Sequence, residues 1–157
     1  MVSDRGFTLV ELAIVMVVVA ILAGVAIPGY FGLVSNTRAA QAVADLQAIR
    51  AAVYLTYGDN GKWPTESQAG VIPDGISSNL PKNFSFTNQW YTLDYDNWIP
   101  LHQQGTAPTG TSTAIGVSII CRDPRLLTRV EGLIKNARFF PVSKTKYILE
   151  IATLNGF

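Results

Sequence analysis

Few side chains in this sequence are placed to do chemistry. The single histidine, His102, stands in the polar segment Pro100-Leu101-His102-Gln103-Gln104, and the single cysteine, Cys121, closes the apolar run from Gly116 to Cys121. Neither has a nucleophile, base or metal-ligand partner at a useful spacing, and no phosphate loop or nucleophile motif is present, so the reading is of a protein that is not an enzyme. Cys121 reads as a buried small hydrophobe and His102 as an exposed loop residue. Asp94 and Asp96 are the only closely spaced carboxylates, and two carboxylates in an aromatic strand call for no metal and no cofactor. Two features remain. Glu11 is a lone carboxylate near the start of the 21-residue apolar run from Phe7 to Ile27, and Arg122, Arg125 and Arg129 recur at intervals of three and four.

Such a run is long enough to cross a bilayer, since about 20 residues rising about 1.5 Å each cover the roughly 30 Å of hydrocarbon. A carboxylate at the centre of such a helix would cost about 2.5 to 3.5 kcal/mol, but Glu11 is close enough to one end to reach toward the headgroups. It is either an interfacial bystander or the partner of a cation. If the chain is cut after Gly6, the new α-amino group of Phe7 lies one helical turn from Glu11, and the same amine on a neighbouring chain could serve equally well. An ordinary secretory signal fits less well, although Gly24-Val25-Ala26 has the small-x-small form of a cleavage site. Its apolar region would exceed the usual 7 to 15 residues and would contain Glu11.

The elements that would position these residues follow from periodicity. Thr37 to Tyr57 holds no Gly or Pro, and Ala39, Ala42, Leu46, Ile49, Val53 and Tyr57 fall on one stripe at 100° per residue, so a core-facing helix continues from the apolar run. Ala40, Ala44, Ala48, Ala51 and Ala52 form a second stripe of small residues, which either permits close approach of other helices or only favours helix. Pro28 lacks an N–H for the carbonyl of Gly24, so a kink or loosened turn is expected between Gly24 and Gly32. Gly58 and Asp59-Asn60-Gly61 read as helix stop and turn. Residues 59–83, with Pro64, Pro73 and Pro81, form a loop-rich connection laid over the helix. Strands are expected within 84–98 and over 113–121 and 146–154, with 105–111 as a flexible connector. Asp123-Pro124 begins a short helix carrying Leu126, Leu127, Val130, Leu133 and Ile134.

The fold class is therefore α+β: a long N-terminal helix, half transmembrane and half amphipathic, packed on a small antiparallel sheet of three or four strands with a second short helix. At 157 residues the chain holds one soluble domain of about 130 residues besides the apolar segment. A net charge of +1 gives no general signal for nucleic acid. The distribution is uneven: residues 122–146 hold seven bases against two acids, a net of +5, whereas residues 38–121 carry a net of −2.

The stretch Arg5-Gly6-Phe7-Thr8-Leu9-Val10-Glu11, with the apolar run behind it and Pro28 at its end, closely resembles the N-terminal signature of type IV prepilins and type II secretion pseudopilins. Asp59-Asn60-Gly61-Lys62-Trp63-Pro64 looks like the turn that follows the helix in many pseudopilins. The resemblance implies a pilin-like division into a leader (1–6), a long helix (7–58, membrane-spanning over 7–27) and a globular head (59–157). It implies cleavage after Gly6 by a prepilin peptidase on the cytoplasmic side, where Arg5 also belongs, then N-methylation of Phe7, and a role for Glu11 in meeting the N-terminal amine of the adjacent subunit. The implied partners are that peptidase, copies of the chain and other pilins or pseudopilins, an inner-membrane assembly platform, and the lipid bilayer before assembly. The implied location is an inner-membrane precursor that passes into a periplasmic or extracellular filament. The alternative is a signal-anchored binding module that never polymerises. For the basic face of Arg122, Arg125 and Arg129, three readings stand: a solvated face, a contact with the net-negative surface of an adjacent subunit, or DNA.

Overall fold

The computed structural model describes residues 7–98, 113–134 and 138–153. One helix, α1, runs from Leu9 to Asn60 with Pro28 inside it. It is followed by a single 3₁₀ turn at Ser77–Asn79, then strand β1 (Tyr91–Asn97), β2 (Thr113–Cys121), helix α2 (Pro124–Leu133), β3 (Phe139–Pro141) and β4 (Lys146–Thr153). The strands form one antiparallel sheet in the order β1-β2-β4-β3. This is the α+β architecture expected, and β2 and β4 lie where the β-branched runs place them. β3 was not anticipated, because a three-residue edge strand ending in a proline carries no periodicity to read.

The chain divides into two compact units, Met1–Thr37 and Arg38–Phe157. In the first, the large apolar side chains of α1, from Leu9 to Leu33, are exposed. Among the described residues α1 is the only helix long and apolar enough to cross a membrane.

The second unit has its own core. The second part of α1 buries Ala39, Ala42, Leu46, Ile49, Ala52, Val53 and Thr56. These share a core with Leu93, Tyr95, Val117, Ile119 and Leu149 of the sheet and Leu127 and Val130 of α2. The expected stripe is therefore correct except at its end, where Thr56 is buried and Tyr57 only half so. Ala52 belongs to the core and not to the alanine stripe, whose members Ala40, Ala44 and Ala51 are exposed. Thr56 is tolerated inside because its hydroxyl donates to the Ala52 carbonyl (2.9 Å) and accepts from Asn79 Nδ2 (3.1 Å).

The helix stops at Gly61 and not at Gly58. Gly61 takes φ +64° while its N–H donates to the Tyr57 carbonyl at 2.8 Å, a left-handed cap that a glycine adopts without a Cβ clash. Trp63 then stacks on Tyr57 at 4.1 Å and meets Tyr54 edge-on, tying the loop to the helix. The loop also covers the free edge of β1. The Leu93 N–H donates to the Phe86 carbonyl (2.7 Å), and the Gly70 N–H donates to the Leu93 carbonyl (2.8 Å). Gly70, at φ +83°, is a position where a Cβ would sit 2.5 Å from Thr87 Oγ1, so only glycine allows this approach. An edge that would otherwise offer unpaired backbone groups is thereby closed.

Candidate functional site

The start of α1 is built by a reciprocal cap. Thr8 stands just before the helix, and both its backbone N–H and its hydroxyl donate to Glu11 Oε2 at 2.8 Å, while the Glu11 N–H donates back to Thr8 Oγ1 at 3.3 Å. This is the Thr-x-x-Glu capping box, which satisfies two of the four orphan N–H groups of a helix start. The sequence reading missed Thr8, although its spacing of three from Glu11 was the available signal. The box holds the carboxylate on the first turn and loads one of its two oxygens. Among the described residues no donor is assigned to Oε1. Phe7 is exposed, and Gly6 and Arg5 lie outside the described residues. Gly24 and Pro28 both fall within the continuous helix and are exposed.

The arginines are not brought onto one helix face. Asp123 caps α2 by accepting from the Arg125 N–H at 3.0 Å, so the helix begins at Pro124 and Arg122 precedes it. Arg125 and Arg129 are exposed and share a face at a spacing of four, whereas Arg122 follows the last residue of β2. The expectation of a single three-arginine face is corrected for this reason: a cap residue has extended dihedrals and turns the preceding side chain away from the helical register. Cys121 is buried, as expected, and burial pushes its thiol up from the usual range. His102 and the connector 105–111 lie outside the described residues.

Asp94 and Asp96 project from the same side of β1 into an ion-pair network. Lys146 Nζ, from β4, lies 3.3 Å from Asp94 Oδ2 and 3.7 Å from Asp96 Oδ1, and Ser118 Oγ of β2 donates to Asp96 Oδ2. Burial pushes the Asp96 carboxyl up to about 6, with Asp94 and Glu66 adding to the shift and Ser118 and Lys146 opposing it. Among the described residues no group of three or more His, Cys, Asp or Glu is placed to hold a metal ion.

The chain thus combines an exposed apolar helix start, with a capped carboxylate on its first turn, and a self-contained α+β head. Comparison with known proteins gives the class more closely. Residues 1–27 match the family model described as the prokaryotic N-terminal methylation motif. A type IV major pilin protein PilE1 of Neisseria gonorrhoeae is 36% identical over 88 residues, covering 54% of this chain and 53% of that protein. Fimbrial protein EcpC of Eikenella corrodens is 37% identical over 69 residues, covering 44% and 45%. Type II secretion system core protein G of Dickeya chrysanthemi is 27% identical over 97 residues, covering 60% and 63%. The chain spans about half the length of the pilins it matches. No solved structure matches it. The chain thus carries the prepilin methylation motif, and its relatives include type IV pilins and a type II secretion core protein, in keeping with the resemblance read from residues 5–28.

Proposed function

We propose that this chain is a structural subunit of a type IV pilus or type II secretion pseudopilus, cut after Gly6, methylated on Phe7 and polymerised through α1. The observation that carries this reading is the exposed apolar surface of Leu9–Leu33 with Glu11 at its head. Such a surface is stable only in lipid or against other helices, which fits a precursor held in the bilayer and then a filament core. Removal of the leader creates an amine at Phe7. In a medium of low dielectric an amine and a carboxylate that meet stabilise each other, and removing one leaves the other at a cost of about 3 to 5 kcal/mol. Glu11 is the acceptor for the amine of a neighbouring subunit, and the Thr8 cap holds it ready on one oxygen. Pro28 and Gly24 mark the weakest step of the helix, since the Gly24 carbonyl lacks its usual donor. Contacts of this kind that do not close on themselves generate an open filament. Arg125 and Arg129, exposed on α2, are the cations that meet the acidic surface of a neighbour, a contact that salt weakens.

The compactness of the head on its own supports the other reading, an anchored module that never polymerises. Glu11→Val separates the two. The variant should insert and be cut, because the segment only becomes more apolar, yet yield few filaments. Normal filaments at normal abundance would sink the pairing role. Gly6→Val should leave an uncut precursor without function, whereas an anchored module would keep its function uncut.

A further inference from the structure

The head carries a cavity of about 540 Å³ at the end of the β1–β2 pair, lined by Asn88, Trp90, Thr92, Arg122 and Thr145 among others. Tyr91 pairs with Cys121 in the sheet register, so Trp90 and Arg122 are the residues that flank this last pair. Its volume is within the range of small-ligand sites, and its lining contains a cation and no carboxylate. Arg38 of α1 places its guanidinium 3.5 Å from the centroid of the Trp90 ring. The Asn88 Oδ1 accepts from the Trp90 N–H (2.8 Å) and the Tyr91 N–H (3.0 Å), which fixes the backbone that carries the indole. Trp90 nevertheless remains 38% exposed. The ion pairs assigned among the described residues use Arg138 and Lys146, so neither Arg38 nor Arg122 is neutralised by a carboxylate there.

The geometry points to a nucleotide site, in which a base stacks on the open side of Trp90 and its phosphate is met by Arg122. The Arg38 cation selects among flat ligands. A cation on one face of an aromatic ring draws down the negative potential of its π system, so the opposite side attracts C–H donors of a sugar or a second cation less well. A nucleobase, which stacks by overlap and dispersion, is not penalised in this way, and stacking contributes about 1 to 3 kcal/mol per base. Asn88, Gln89, Thr92 and Thr145 supply amide and hydroxyl groups in the lining for base and ribose edges. Arg122 supplies the charge-assisted contact that a phosphate requires. The chemistry is common to a free mononucleotide and to one unit of a single strand.

Binding would be measured on the full chain in non-ionic detergent, with a labelled short oligodeoxyadenylate, adenosine 5′-monophosphate and galacturonate as probes. Trp90→Ala and Arg122→Gln should each weaken oligonucleotide binding about tenfold, the loss of one stack or one charged contact. Lys62→Gln, a distant exposed cation, should change it less than twofold. Affinity that rises with strand length identifies the single strand as the source, and equal affinity for the monophosphate identifies the free nucleotide; either supports the site. Equal losses in Lys62→Gln and Arg122→Gln, or unchanged binding in Trp90→Ala, would overturn it as diffuse charge attraction. Binding of galacturonate but not nucleotide would overturn it in favour of an acidic saccharide, and no binding of any probe would overturn it outright.

Discussion

Two stretches of the same helix obey different rules. From Leu9 to Leu33, α1 is apolar nearly all round and exposes its large side chains, whereas from Ala39 onward it buries only every third or fourth residue. The second pattern is that of a helix with a core beneath it, and the first is that of a helix whose surroundings come from outside the chain. The apolar stretch therefore contributes little to the stability of the isolated chain, and the amphipathic stretch contributes much of it. Conversely, a change in the first stretch should leave the fold intact and act on whatever covers it.

The largest expected effect tests that contrast directly. Leu46 is fully buried and Leu12 exposed. Leu46→Ala should destabilise the head by about 2 to 5 kcal/mol, the range for emptying a buried leucine site, while Leu12→Ala should stay within about 0.5 kcal/mol. All three tryptophans, Trp63, Trp90 and Trp98, lie in the second unit. Denaturant unfolding followed by tryptophan fluorescence thus reports on the head alone. A loss of similar size in both variants would break the comparison.

A smaller effect sharpens it by pH. Asp96 titrates near 6 in the folded chain against an ordinary value of 3.8. Between those values the folded state holds a proton that the unfolded state has released. Its contribution is thus complete below about pH 4 and is lost as pH rises through about 6, amounting to about 3 kcal/mol at most. Asp45 and Glu66, both also pushed up chiefly by burial, act in the same direction. Asp96→Asn should flatten the fall in head stability between about pH 4 and pH 6. An unchanged slope in that variant would assign it to other groups.

The smallest effect concerns caps. Asp123→Ala removes the N-cap of α2 and should cost the head about 1 kcal/mol. Thr8→Ala removes a cap of the same kind from α1, yet it should leave head unfolding unchanged, because Thr8 belongs to the first unit. The same assay compares them, and a loss in both would show that the two stretches are coupled.

Much of this was legible because it is local. The apolar run, the core stripe, the Asp123-Pro124 helix start and the β-branched strands each declare themselves within a window of a few residues, where one period and one cap type decide. The misplaced details are also local but finely balanced. The helix end moved from Gly58 to Gly61 because any residue continues a helix until one adopts the left-handed cap, and Ala52 lies near the boundary of two stripes. Arg122 was misplaced although Asp123 was legible as the cap, because the three-residue spacing was carried across a cap whose extended dihedrals end the helical register. In the candidate site, Glu11 was legible from its charge alone, and its partner Thr8 was overlooked although the capping spacing was visible.

What the sequence by itself determined is the division of labour along the chain: a capped apolar helix bearing one carboxylate, then a helix with one buried face, then a small sheet. These follow from side-chain periodicity and backbone propensity, which act between near neighbours. The tertiary structure alone decided that Lys146 meets Asp94 and Asp96, that Ser118 shares Asp96, and that Trp90 stands beside Arg122 with Arg38 against its ring. Those partners lie tens of residues apart, and only the sheet register and the packing of α1 bring them together. A shift of one residue in the register of β4 would send Lys146 to the face opposite Asp94 and Asp96.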